Sequence, residues 1–108
     1  MAFKRAQKPT FTAPVVVNIP NDKGGFDKNT FVATFKRITD DERTELMGLT
    51  HTELVRRQLV DWDLRDEDTK EQVPFSTAEL DAALQILPTP LACAMAFWES
   101  VNGARSKN

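Results

Sequence analysis

The side chains best suited to nucleophile-and-base chemistry occur once each, as His51 and Cys93. A thiol becomes a catalytic nucleophile when an imidazole takes its proton, but these two residues keep unlike company. His51 falls inside a helix-capping pattern, Thr50-His-Thr-Glu53, while Cys93 lies in Leu91-Ala-Cys-Ala-Met95. A free cysteine in such a run is a small buried hydrophobe. One His and one Cys cannot by themselves build a zinc site. The acids Asp61, Asp63, Asp66, Glu67 and Asp68 resemble a calcium loop but lack the turn glycine and the ligand spacing of an EF-hand. Gly24-Gly25 leads into no helix and is no phosphate cradle. Every catalytic template lacks a member. The expectation is therefore a chain that is not an enzyme and carries no cofactor and no metal.

The elements that position these residues come from a chain of 108 residues, 41% hydrophobic and 28% charged. That length allows one modest domain with one core, and the composition is too apolar for a disordered chain. No stretch reaches the ~20 apolar residues of a membrane span. The basic N-terminus, Met1-Ala-Phe-Lys-Arg5, has no apolar run behind it, so no signal peptide is expected. A single cysteine excludes an intramolecular disulfide framework, and together these features predict a cytoplasmic protein. Net charge is −2, unevenly spread. Residues 1–38 hold Lys4, Arg5, Lys8, Lys23, Lys28, Lys36 and Arg37 against Asp22 and Asp27, whereas residues 39–108 carry twice as many acids as bases. Such a split suits a subunit whose basic half (Lys23, Lys28, Lys36, Arg37) meets the acidic loop (Asp63, Asp66, Glu67, Asp68) of a neighbour.

After a flexible basic arm at 1–9, Val15, Val17 and Ile19 alternate in a β-branched run, which predicts a strand that Pro14 and Pro20 either confine to an edge or bracket. Asn21 to Asn29 reads as a long, mobile tip, and Phe31, Ala33 and Phe35 share one face of a second strand. Three capping boxes follow, Thr39-Asp-Asp-Glu42, Thr50-His-Thr-Glu53 and Ser76-Thr-Ala-Glu79, each opening a helix. The first helix ends near Gly48. In the second, Val55, Leu59 and Trp62 share a face; in the third, Leu80, Ala83, Leu84 and Leu87 form a buried stripe that Pro88 stops. Thr89 reads as the N-cap of a last helix with Pro90 at its first position. Leu91, Met95 and Trp98 recur on that helix at helical spacing, and Ala94, Phe97 and Val101 form a second set. The fold class predicted is α+β: an N-terminal antiparallel β-hairpin packed on a small bundle of about four helices. Residues 10–108 make one domain, with the hairpin at 10–38 and the helical part at 39–105.

Basic residues interleave with Phe31 and Phe35, as in some nucleic-acid binders, but an alternating strand turns those rings inward and the acidic remainder repels phosphate. Interaction with protein is the stronger expectation. Trp62, Phe97 and Trp98 are large amphipathic anchors, and one apolar set of the last helix exceeds what so few elements can cover. Trp62, Phe97, Trp98 and Val101 are the candidate partner-binding residues.

In order along the chain come Phe31 to Ile38, ending Phe35-Lys-Arg-Ile38, with an acidic helix start behind them; Leu59-Val-Asp-Trp62 with its acidic loop; Val73-Pro-Phe-Ser76 opening a leucine-bearing helix; Ala96-Phe-Trp-Glu-Ser100; and the close Ala104-Arg-Ser-Lys-Asn108. This ordered set, spanning about residues 11–108, resembles the tail assembly chaperones of long-tailed bacteriophages and prophages. The segment at 40–50 is shorter than the family's. The resemblance implies a non-enzymatic protein of the bacterial host cytoplasm. Such a protein binds the tape-measure protein, keeps its long helical chain soluble and recruits tail-tube subunits. It also implies self-association into a ring or spiral. The alternatives are a small structural tail or connector subunit of the virion, or a small nucleic-acid-binding regulator.

Overall fold

A computed structural model describes residues 2–103; the stretch 104–108, part of the resemblance and of the expected helical segment, lies outside the described residues. Strands β1 (Thr10–Pro20) and β2 (Phe26–Lys36) form the expected antiparallel hairpin. Helices α1 (Asp40–Leu46) and α2 (His51–Gln58) follow, then a third strand β3 (Leu59–Trp62), α3 (Thr77–Leu84) and α4 (Thr89–Val101). The sheet order is β1-β2-β3, all antiparallel, and the hairpin packs on helices, an α+β fold.

Hydrogen-bond parity explains both strand prolines. The Arg37 N–H donates to the Pro9 carbonyl, and the Asp63 N–H donates to the Val32 carbonyl on the opposite side of β2. Odd-numbered residues therefore carry the β1–β2 ladder, and even-numbered residues of β1 point their backbone groups to the open edge. Pro14 and Pro20 are both even, so neither removes a ladder bond. The same alternation turns Ala13, Val15, Val17, Ala33 and Phe35 inward, where all are buried. The tip is shorter than expected: it comprises residues 21–25, and residues 26–29 belong to β2. The Asn21 carboxamide accepts from the N–H groups of Lys23 and Gly25, which organises the turn.

The second helix does not run to Trp62. It stops at Gln58, Leu59 is extended (φ −82°, ψ 119°), and Leu59–Trp62 pairs with β2. The pairing is Phe35 with Leu59, Thr34 with Asp61 and Ala33 with Trp62, leaving Val60 as an extra residue. That irregularity resets the alternation, so Leu59 and Trp62, three apart, are both buried. A bulged strand thus yields the spacing of a helical face.

The Thr39 and Thr50 boxes are complete, whereas at Ser76 only the side-chain acceptor for the Glu79 N–H forms. Helix α3 ends at Leu84, and a turn in which Gln85, Ile86 and Thr89 donate to Ala82, Ala83 and Ile86 follows. That turn rotates Leu87 away from the stripe it was expected to join and out to solvent. The axes of α3 and α4 differ by 108°. Pro88, not Thr89, occupies the N-cap of α4; Thr89 is already helical, buried, and makes no capping bond. No described helix is long and apolar enough to cross a membrane.

The core is built on aromatic contacts. Phe35 and Phe97 meet edge to face at 5.3 Å, with Phe11 5.8 Å from Phe35 and 5.9 Å from Phe97. This ties β1 and β2 to α4. A second cluster sets Trp62 against Phe31 (6.0 Å) and Phe75 (5.1 Å). Burying each such ring contributes about 1.5–3 kcal/mol.

Candidate functional site

Helix α4 has apolar residues on two faces, and the sheet covers one of them. Phe97, Ala94 and Cys93 point into the core, leaving the other face with Leu91 46% and Met95 50% exposed. The stripe extends at its N-terminal end into the α3–α4 corner, where Ile86 is exposed and Leu87 is 76% exposed. At the other end it reaches half-buried Trp98, held edge to face on Phe97 at 5.0 Å. There it opens into a groove of about 320 Å³ between α4 and the α1–α2 pair, lined by Leu46, Met47, Leu49, Leu54 and Trp98. Met47 is 67% exposed on its lip.

The polar lining of the groove comprises Arg43, His51 and Asn102, with no carboxylate among them. Arg43 closes one end, its Nη1 donating to Asn102 Oδ1 at 3.0 Å and its Nε lying 3.8 Å from Asp40. The two capping boxes set the walls, since Thr39 and Thr50 fix where α1 and α2 begin and hence where Leu46 and Leu54 fall. An apolar stripe of Leu and Met ending in a Trp-floored groove with a basic rim suits one chemistry. It can take the apolar face of a helix whose flanking positions are acidic. Methionine at two positions lets the surface adapt to side chains of different shape.

Of the four residues expected to face a partner, two lie in the core: Phe97 is fully buried and Trp62 is 4% exposed. Trp98 and Val101 are half-buried, and only Trp98 lines the groove. The exposed apolar face of α4 is therefore the Leu91/Met95 set and not the Phe97 set. Ile86 and Met47, not singled out in the sequence, lie beside it, as does Leu87, which was expected in the buried stripe of α3. For Leu87 the signal was the continuation of the Leu91-Met95-Trp98 spacing back by one turn; Ile86 and Met47 carried none.

The charged residues expected to link copies take up different places in the fold. Lys23 sits at the hairpin tip, and Lys28 and Lys36 lie on the outer, helix-free face of β2. Arg37 is engaged within the chain: its Nε donates to the Lys8 carbonyl and its guanidinium lies 5.6 Å from the Phe11 ring centre. Asp63 accepts from the Val32 N–H, which sets the start of the acidic loop beside the middle of that same strand. Asp66 is a turn former, held below the usual carboxylate range by the N–H groups of Thr69 and Asp68. Glu67 and Asp68 are exposed.

Cys93 is buried, and burial pushes its thiol up to about 12, so it stays protonated. His51 stands apart on the exposed groove rim. No group of three or more His, Cys, Asp or Glu side chains among the described residues is placed to hold a metal ion. Comparison of the chain with protein-family models, with curated proteins and with solved structures returns no match.

Proposed function

We propose that this protein is a non-enzymatic assembly chaperone that shields an apolar face of a helical partner. By the resemblance drawn from the sequence, that partner is the tape-measure protein of a bacteriophage tail, with tail-tube subunits recruited to the complex in the bacterial host cytoplasm. The observation that carries the reading is the uncovered run Leu87, Leu91, Met95, continuing to Trp98 and Met47. A single exposed leucine needs no explanation, but a continuous stripe leading into a groove does. Covering it with apolar helix returns about 25 cal/mol per Å² removed from water. The same surface on a long helical partner is what drives that partner to aggregate, so each would protect the other.

Co-expression with a tape-measure protein encoded in the same genome tests this. The expected result is more soluble tape measure and co-purification of the pair, both lost with Leu91→Gln/Met95→Gln. A tape measure whose solubility does not change, with no co-purification by the wild-type chain, overturns the reading.

A further inference from the structure

Strand β1 is the open edge of the sheet, eleven residues long and without a charged side chain. By the ladder parity, the N–H groups of Thr10, Thr12, Val16 and Asn18 face outward, and among the described residues no acceptor lies against them. Edge strands are ordinarily kept from pairing by charge, bulges or a covering element. Here the described residues provide only Pro14 and Pro20, and Val16 between them is exposed.

We infer that two copies of this chain pair antiparallel through β1, joining their sheets into one. The strand's own sequence argues for a second copy. In the fully overlapping register, Thr10 faces Pro20 of the second copy, Thr12 faces Asn18, and Pro14 faces Val16. Every proline then lies opposite a residue that has an N–H, and its carbonyl accepts from that donor. All four outward donors of each strand are satisfied. A shift of one step in one direction sets Pro14 against Pro14, carbonyl to carbonyl with no donor between. A shift in the other direction carries Thr10 past the end of the opposing strand. Full overlap also places Val16 beside Pro14 on the outer face, and Val15 beside Val15 on the inner face, with no charge brought near a like charge.

The layer beneath leaves room. Helix α4 packs under β1, and its Trp98/Asn102 side faces the groove with α1 and α2. The side turned away from that groove carries Ala92, Ala96 and Ser100, four apart and small. Two α4 helices can therefore come alongside each other without large side chains meeting. This pairing rests on β1 alone and does not depend on the helical partner proposed above.

Sedimentation equilibrium and light scattering of the full chain provide the test. A reversible dimer is expected. Val16→Pro removes an outward N–H without touching the ladder, so circular dichroism should be unchanged while the dimer weakens by about tenfold or more. The double variant Thr12→Cys/Asn18→Cys reads the register independently of folding energetics. The paired positions lie about 5.5 Å apart between Cα atoms, within disulfide reach, so oxidation should give a covalent dimer. A chain that stays monomeric at all concentrations, or a dimer indifferent to Val16→Pro and uncrosslinked by the paired cysteines, overturns the inference. Cross-linking of Val16→Cys to itself in preference to the double variant overturns the register.

Discussion

The indole N–H of Trp62 donates to the backbone carbonyl of Val73 at 2.8 Å. This bond fastens β3 to the far side of the acidic loop, beside the isolated bridge between Arg65 and Gln72. The loop is thus closed across its base by a buried side chain, and Phe75, stacked edge to face on the same indole, follows directly from that closure. Trp62→Phe keeps a ring in the site but leaves the Val73 carbonyl without its donor. The expected cost is about 1–3 kcal/mol, read as a lower urea midpoint with unchanged slope. Unchanged stability would mean the loop closes without the indole.

Val60 makes a sharper test of the same strand. As the extra residue in the β2–β3 pairing, it allows Leu59 and Trp62 to share the buried face. Deleting it leaves Leu59 and Trp62 two apart, a spacing that simple alternation also sets on one face, so cooperative unfolding should survive with a loss of about 1–3 kcal/mol for the side chain and the reshaped strand. Val60→Ala keeps the residue count and should cost less. Loss of cooperative unfolding on deletion would show that the bulge itself, and not the shared face alone, is required.

Much of this fold is legible in the sequence because its local rules agree. Alternation over Val15, Val17, Ala33 and Phe35 specifies the hairpin, and the Thr39 and Thr50 boxes specify two helix starts to the residue. What misleads is spacing that two backbones can satisfy. Leu59 and Trp62 fit a helical face and fit a bulged strand equally well; only the free edge of β2, a tertiary fact, decides between them. The candidate surface is half legible for the same reason. Helix α4 has two apolar faces, and nothing local says that Phe97 rather than Met95 meets Phe35. The charge asymmetry by itself does not say where its residues fall: Asp63, far from Val32 in sequence, accepts from the Val32 N–H only because β3 lies beside β2.

Acid sensitivity follows from two turn-forming carboxylates. Glu53 is held below its ordinary 4.5 by the backbone N–H and the hydroxyl of Thr50. Asp66 is held below 3.8 by the N–H groups of Thr69 and Asp68. Both folded values are depressed, so both groups bind protons more readily in the unfolded chain. Their contribution is complete above the unfolded values and is lost as pH falls through the folded ones. The denaturation midpoint should therefore be flat near neutrality and begin to fall below about 4.5. Thr50→Ala should flatten the upper part of that decline; an unaltered acid limb in this variant would exclude Glu53 as a source.

Cys93 provides a probe of opening. The thiolate is the reactive form, and burial keeps this thiol protonated up to about 12. A chromogenic disulfide reagent should label the folded protein only as fast as the core opens, with the rate rising steeply in denaturant. Prompt labelling of the native chain at mildly alkaline pH would show that the helix layer over Cys93 opens locally.

Leu91 and Met95 separate binding from folding most cleanly. Both sit within α4 yet are about half exposed, so Leu91→Gln and Met95→Gln should each change stability by no more than about 0.5 kcal/mol. Glutamine is nearly as good a helix former as either. Phe97→Ala, on the core side of the same helix, should cost about 3–5 kcal/mol. If the stripe is the surface that takes a helical partner, the glutamine pair loses partner capture by about tenfold or more while its melting curve stays in place. Full partner capture by that pair would move the site elsewhere. A large destabilisation would instead mean the stripe is covered within the free protein. The two measurements must therefore be made on the same preparation, since only unchanged folding together with lost binding identifies a surface whose apolar character serves another chain.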